Sequence, residues 1–186
     1  GVKSYIQYRD TTVKTVEDSE GALNWQTSSI GGTVTHNGTL PVDPSENKMS
    51  AAVVAGLDAK SPHDTQGLKV RWNNITDVLA FSVPPAHKDV SSYSVLSFRI
   101  TQKVDSADNP ANQSQDLRVT LKDGTNNERA VRVGSFYDIP FPDHRPNHSV
   151  SKSAMLTVRI PLKAYTIVCA GQVIVNLQDV TTLTFQ

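Results

Sequence analysis

Side chains able to do chemistry crowd into one stretch. Between Ser135 and Ser149 the chain carries Phe136, Tyr137, Asp138, Phe141, Asp143, His144, Arg145 and His148, punctuated by prolines at 140, 142 and 146. Proline lowers the entropy lost when a loop is held in one shape. Aromatic, carboxylate, imidazole and guanidinium groups on such a loop supply stacking and hydrogen bonds. The stretch therefore predicts a ligand-binding loop, with Tyr137, Asp143, His144 and Arg145 as its contacts. The competing reading is that Phe136 and Phe141 seal one end of a core while the polar residues face water. A second polar turn, Ser61–Gly67, contributes His63 and Asp64 to the same list.

Five apolar runs each carry an arginine in mid-run: Arg71, Arg99, Arg118, Arg132 and Arg159. Guanidinium forks on one face would suit a ligand rich in hydroxyls or carboxylates, with Arg99 as part of its floor. The plainer alternative is a solvated sheet face whose arginine stems cover apolar surface. The two readings part on whether these arginines share one sheet.

Motifs for catalysis are missing. There is no G-x-S-x-G, no phosphate loop and no dinucleotide glycine pattern. His144 and His148 are four apart, but Pro142 and Pro146 argue against the helix that would make this spacing a zinc pair. Cys169 lies in the apolar run Ile167–Gly171, which predicts a buried, inert thiol. The expectation is a non-catalytic protein.

The elements that must position these residues are strands. Period-two alternation marks Leu68/Val70/Trp72, Leu96/Phe98/Ile100, Leu117/Val119/Leu121, Val131/Val133, Leu156/Val158/Ile160 and Val173/Val175/Leu177. The runs predict strands over 2–8, 12–17, 33–42, 49–55, 67–72, 77–84, 93–101, 115–121, 129–134, 154–161, 172–178 and 180–186. Residues 18–32 and 41–48 read as loops. Asp123-Gly124 predicts a hairpin turn, and Pro161 marks a strand end or edge. Turn residues recurring about every ten positions predict an all-β, antiparallel β-sandwich of jelly-roll type, with residues 1–186 as a single domain.

Lys and Arg number 18 and so do Asp and Glu, leaving no basic excess for nucleic acid. No apolar run is long enough for a membrane helix, and no basic amphipathic helix suits a membrane surface. A lone cysteine excludes an internal disulfide framework. One cysteine fits either a secreted bacterial protein or a cytosolic one, and the chain reads as a module of something longer.

Three stretches, Asp89–Ile100 with its Tyr93 and Leu96-Ser-Phe-Arg99 step, Thr157–Leu162 with Ile160-Pro-Leu162, and Val173–Phe185, together resemble the later strands of galactose-binding-like β-sandwich domains. Val16–Trp25 is similar to the acidic opening and following tryptophan of those domains. The resemblance implies a jelly-roll accessory module, carbohydrate-binding in many instances, attached to the catalytic domain of a secreted hydrolase. It also implies a structural calcium site combining Glu17 or Asp18 with Asp179. A rival oxygen cluster lies at Asp105, Asp108, Asn109 and Asp116. Aromatics are only 6% of residues, which points to one soluble glycan chain or a terminal sugar rather than a crystalline surface. Two other classes stay open: an accessory domain that packs on a catalytic domain without binding sugar, and a β-sandwich polysaccharide lyase or hydrolase.

Overall fold

The structure is a computed structural model that describes residues 26–30, 32–35, 49–54, 67–72, 74–102, 109, 112–141, 156–168, 171 and 173–186. Among the described residues ten strands are present: β1 (Gln26–Ile30), β2 (Gly32–Thr35), β3 (Met49–Val54), β4 (Gly67–Arg71), β5 (Val78–Ser82), β6 (Val95–Ile100), β7 (Arg118–Asp123), β8 (Glu128–Arg132), β9 (Leu156–Pro161) and β10 (Val180–Phe185). Helical structure among the described residues is confined to 3-10 turns at Pro85–His87, Val133–Ser135 and Leu162–Tyr165. The fold is all-β and mostly antiparallel.

Three sheets form. The largest has the order β1-β5-β10-β7-β8, a second pairs β6 with β9, and the third runs β2-β3-β4. The five-stranded and two-stranded sheets share one core. Val119 and Leu121 of β7, Leu79 and Phe81 of β5 and Leu183 of β10 meet Val158 and Ile160 of β9 there. The Phe185 ring packs edge-on against Phe81 of its own sheet and Phe98 of the other, at centroid distances of 6.0 and 5.3 Å, a favoured aromatic geometry. Full burial of each Val, Leu or Ile side chain contributes about 1.5–3 kcal/mol. Tyr165, wholly buried, donates from Oη to the Val119 carbonyl at 3.2 Å. Burial pushes its phenol well above the usual tyrosine range.

The hairpin at Asp123-Gly124 forms as expected. Asp123 N–H donates to the Asn127 carbonyl at 2.9 Å, and Asn126 closes the three-residue loop at φ 67°, a left-handed conformation that asparagine tolerates. β9 ends at Pro161, where the chain enters a 3-10 turn.

Three expectations fail. Residues 18–32 read as a loop, yet Gln26–Ile30 is an edge strand, β1, paired with β5 from Gln26↔Ser82 to Ile30↔Val78. Its sequence, Gln-Thr-Ser-Ser-Ile, has no apolar alternation to announce the strand that pairs with β5. Residues 173–178 form no strand despite alternating Val173, Val175 and Leu177. Their backbone groups are taken elsewhere: Asn176 N–H by the Asp123 carboxylate at 2.9 Å, Val175 N–H by the Tyr165 carbonyl at 3.3 Å and the Leu177 carbonyl by Val90 N–H at 2.8 Å. Finally, β2 and β3 pair parallel from Gly32↔Met49 to Thr35↔Ala52, against the all-antiparallel expectation.

A candidate binding recess beside strand β8

The arginines divide between sheets. Arg118 and Arg132 are direct cross-strand partners in the five-stranded sheet. Arg99 and Arg159 are diagonal neighbours in the two-stranded sheet, opposite Thr157 and Ser97 respectively. All four are exposed, and each sits between core-facing residues, so the two pairs lie on opposite outer faces of the shared core. Arg71 lies on β4 of the third sheet. The five mid-strand arginines therefore do not share one sheet.

Arg132 is the arginine that stands beside the aromatic loop. Directly after β8, the 3-10 turn Val133–Ser135 leads into Phe136, where Phe136 and Tyr137 N–H both donate to the Val133 carbonyl, at 2.8 and 2.9 Å. Tyr137 packs half-buried on the core, Asp138 is exposed and Ile139 is buried. This alternation turns the Asp138 carboxylate outward. Ile139 is anchored twice through its carbonyl, by Gln115 N–H at 2.9 Å and by the buried Gln102 side chain at 2.8 Å.

Asp116 faces this turn. Its Oδ1 accepts Gly134 N–H at 2.7 Å, and its Oδ2 accepts Arg132 Nε at 2.8 Å with Nη2 at 2.6 Å. A Cβ at position 134 would meet the Asp116 carboxylate at 2.9 Å, so glycine is what permits this approach. Partial burial pushes the Asp116 carboxyl up, but the Gly134 N–H and Arg132 outweigh it and hold it below its ordinary value of 3.8. Asp116 is thus a fixed, ionised acceptor. A recess of about 410 Å³ is lined by Ser114, Gln115, Asp116, Arg132, Ser135 and Asp138. A groove of about 580 Å³ adjoins it, sharing Arg132 and Ser135 and adding Phe136, Val131, Ile167 and Val173. Planar polar groups thereby meet an exposed phenyl face, a combination suited to hydroxyls on one side of a ligand and C–H surface on the other.

Of the loop contacts read from the sequence, Tyr137 lies against the core; Asp143, His144 and Arg145 lie outside the described residues, as do His63, Asp64 and Cys169. Gln115 and Gly134 were not singled out from the sequence. Extending the Arg118↔Arg132 register of the hairpin by two residues puts Asp116 opposite Gly134, and that signal was available from the Asp123-Gly124 turn.

The opposite end of β7 holds a second aspartate. Asp123, 1% exposed, accepts from Thr125 N–H and Oγ1, from Asn127 N–H and Nδ2 and from Asn176 N–H, all between 2.8 and 3.1 Å. Burial pushes its carboxyl up, but these donors prevail and hold it far below the usual carboxylate range. Asp179 lies alongside, its carbonyl accepting Gly124 N–H at 3.0 Å and its carboxylate 3.3 Å from Lys88 Nζ. For the expected calcium ion, Asp179 brings one carboxylate, already facing a lysine, while the Asp123 oxygens are occupied by N–H and O–H donors. Glu17 and Asp18 lie outside the described residues, as do Asp105 and Asp108 of the rival cluster. Among the described residues no three His, Cys, Asp or Glu side chains are grouped to hold a metal.

No protein-family model matches the chain, and no curated protein or solved structure is similar enough to match. Among the described residues, no helix is long and apolar enough to cross a membrane.

Proposed function

We propose that the chain is a non-catalytic glycan-binding module of jelly-roll type, serving as an accessory domain of a secreted, polysaccharide-active hydrolase. One observation carries the reading: the recess beside β8 gathers Gln115, Asp116, Arg132, Ser135 and Asp138 next to the exposed Phe136 ring. Sugar hydroxyls both donate and accept. Carboxylates accept from them, the guanidinium donates to them, and the phenyl ring covers a C–H face of the pyranose. Asp116, kept ionised by Arg132 and Gly134, is suited to accepting hydrogen bonds and poorly suited to donating a proton to a leaving group. The sequence assigns Asp143, His144 and Arg145 to the same binding function. Binding would raise the local concentration of an attached catalytic domain on its substrate.

Glycan-array binding of the folded protein tests this. Saturable binding to one glycan class, weakened about tenfold in Asp138→Ala by loss of roughly 1.4 kcal/mol, is the expected result. Silence across a broad array from protein shown to be folded would overturn it.

A further inference from the structure

We propose that strand β8 is a self-pairing edge through which two copies of this chain associate. β8 ends the five-stranded sheet, and among the described residues no strand lies on its outer side. The register determines which backbone groups face that side. Val133 N–H donates to the Leu117 carbonyl and Asp123 N–H to the Asn127 carbonyl, so the hydrogen-bonded pairs across the hairpin are 117/133, 119/131, 121/129 and 123/127. Glu128, Ala130 and Arg132 therefore direct their N–H and C=O groups away from β7, to the open edge.

A second β8 docked antiparallel about a two-fold axis through Ala130 meets all three residues in register. Ala130 faces its own copy, and Glu128 faces Arg132 of the other chain, twice. Shifting the axis by one residue either way leaves one of the three without an opposite number and sets a charge against alanine. Opposite charges directly across a strand pair are favourable and like charges unfavourable, so the charge pattern selects the centred register. The small, exposed side chain of Ala130 lets the two backbones approach. On the core-side face, Arg129 would lie over the partner's Val131. Arg129 is already fixed by donating to the Ile167 carbonyl. The adjoining groove explains what such pairing would cover: Phe136, Ile167 and Val173 are 42%, 45% and 49% exposed along it. A two-fold interface of one patch on itself is the commonest form of soluble association. The inference does not rest on the glycan reading, but the two share Arg132 and Phe136, so a dimer through β8 would cover part of the proposed glycan recess.

Sedimentation equilibrium of the full chain over a hundredfold concentration range, joined to cysteine cross-linking, tests it. The expected result is a concentration-dependent dimer whose dissociation constant rises at least tenfold in Glu128→Arg, with the circular dichroism spectrum unchanged. In the second arm, Ala130→Cys should form a disulfide dimer on mild oxidation, faster than Thr120→Cys on the neighbouring strand and faster than unmodified protein with its native Cys169. A chain monomeric throughout the range would overturn the proposal and leave the groove to a covalently attached neighbouring domain. Cross-linking no faster at 130 than at 120 would overturn it equally, as would a dimer indifferent to Glu128→Arg.

Discussion

Two aspartates flank the run of strand β7, Asp116 two residues before its start and Asp123 at its last position, and each is packed against a turn that contains a glycine. At the hairpin end, Asp123 is buried and spends both oxygens on five donors within the protein. At the other end, Asp116 keeps 30% of its side chain exposed and shares its oxygens between one N–H and an arginine that is itself 67% exposed. One carboxylate is consumed in building the fold, joining the β7–β8 turn to the segment before β10. The other is held in place but left reachable. Saturation of donors, rather than the type of residue, distinguishes a structural acid from a binding one.

The sharpest way to break the comparison is to remove Asp123. Asp123→Ala strands several donors around a buried carboxylate position and should cost about 3 kcal/mol in urea unfolding. It should also release the 173–178 segment, seen as faster amide exchange at Asn176. Acid is the next probe. Both aspartates have folded-state values below 3.8, so the stability they contribute is fully present above that pH and is lost as pH falls below it toward their folded values. Unfolding free energy should therefore decline below about pH 4, and Asp123→Asn should flatten that decline more than Asp116→Asn. A smaller effect is expected at Tyr165→Phe, which deletes one buried hydrogen bond to Val119 and should cost about 1 kcal/mol in the same assay. Gly134→Ala should barely alter stability yet weaken glycan binding, because its Cβ would push the Asp116 carboxylate out of place.

Much of the fold was legible in the residues, for a stated reason. Leu79/Phe81, Val119/Leu121 and Val158/Ile160 alternate because each strand has one face on the core, and Pro161 stops β9 because it lacks a ladder donor. Legibility ended where backbone bonding decided. β1 has no apolar stripe to reveal it, and the Val173/Val175/Leu177 stripe misled because Asp123 takes an N–H that a ladder would need. For the recess, the loop after β8 and Arg132 were visible as residue types. Their assembly was not, because it depends on hairpin register carrying Asp116 to Gly134. Arg99, similar to Arg132 in sequence setting, lies on the other sheet, a distinction that period two alone does not make.

The most direct test of the contrast is the urea-unfolding midpoint of Asp116→Ala beside that of Asp123→Ala. An exposed ion pair contributes about 0.2–1 kcal/mol, so Asp116→Ala should stay within about 1 kcal/mol of the parent while Asp123→Ala loses about three times as much. Equal losses at the two positions would contradict the account, making the recess at Asp116 another structural clamp.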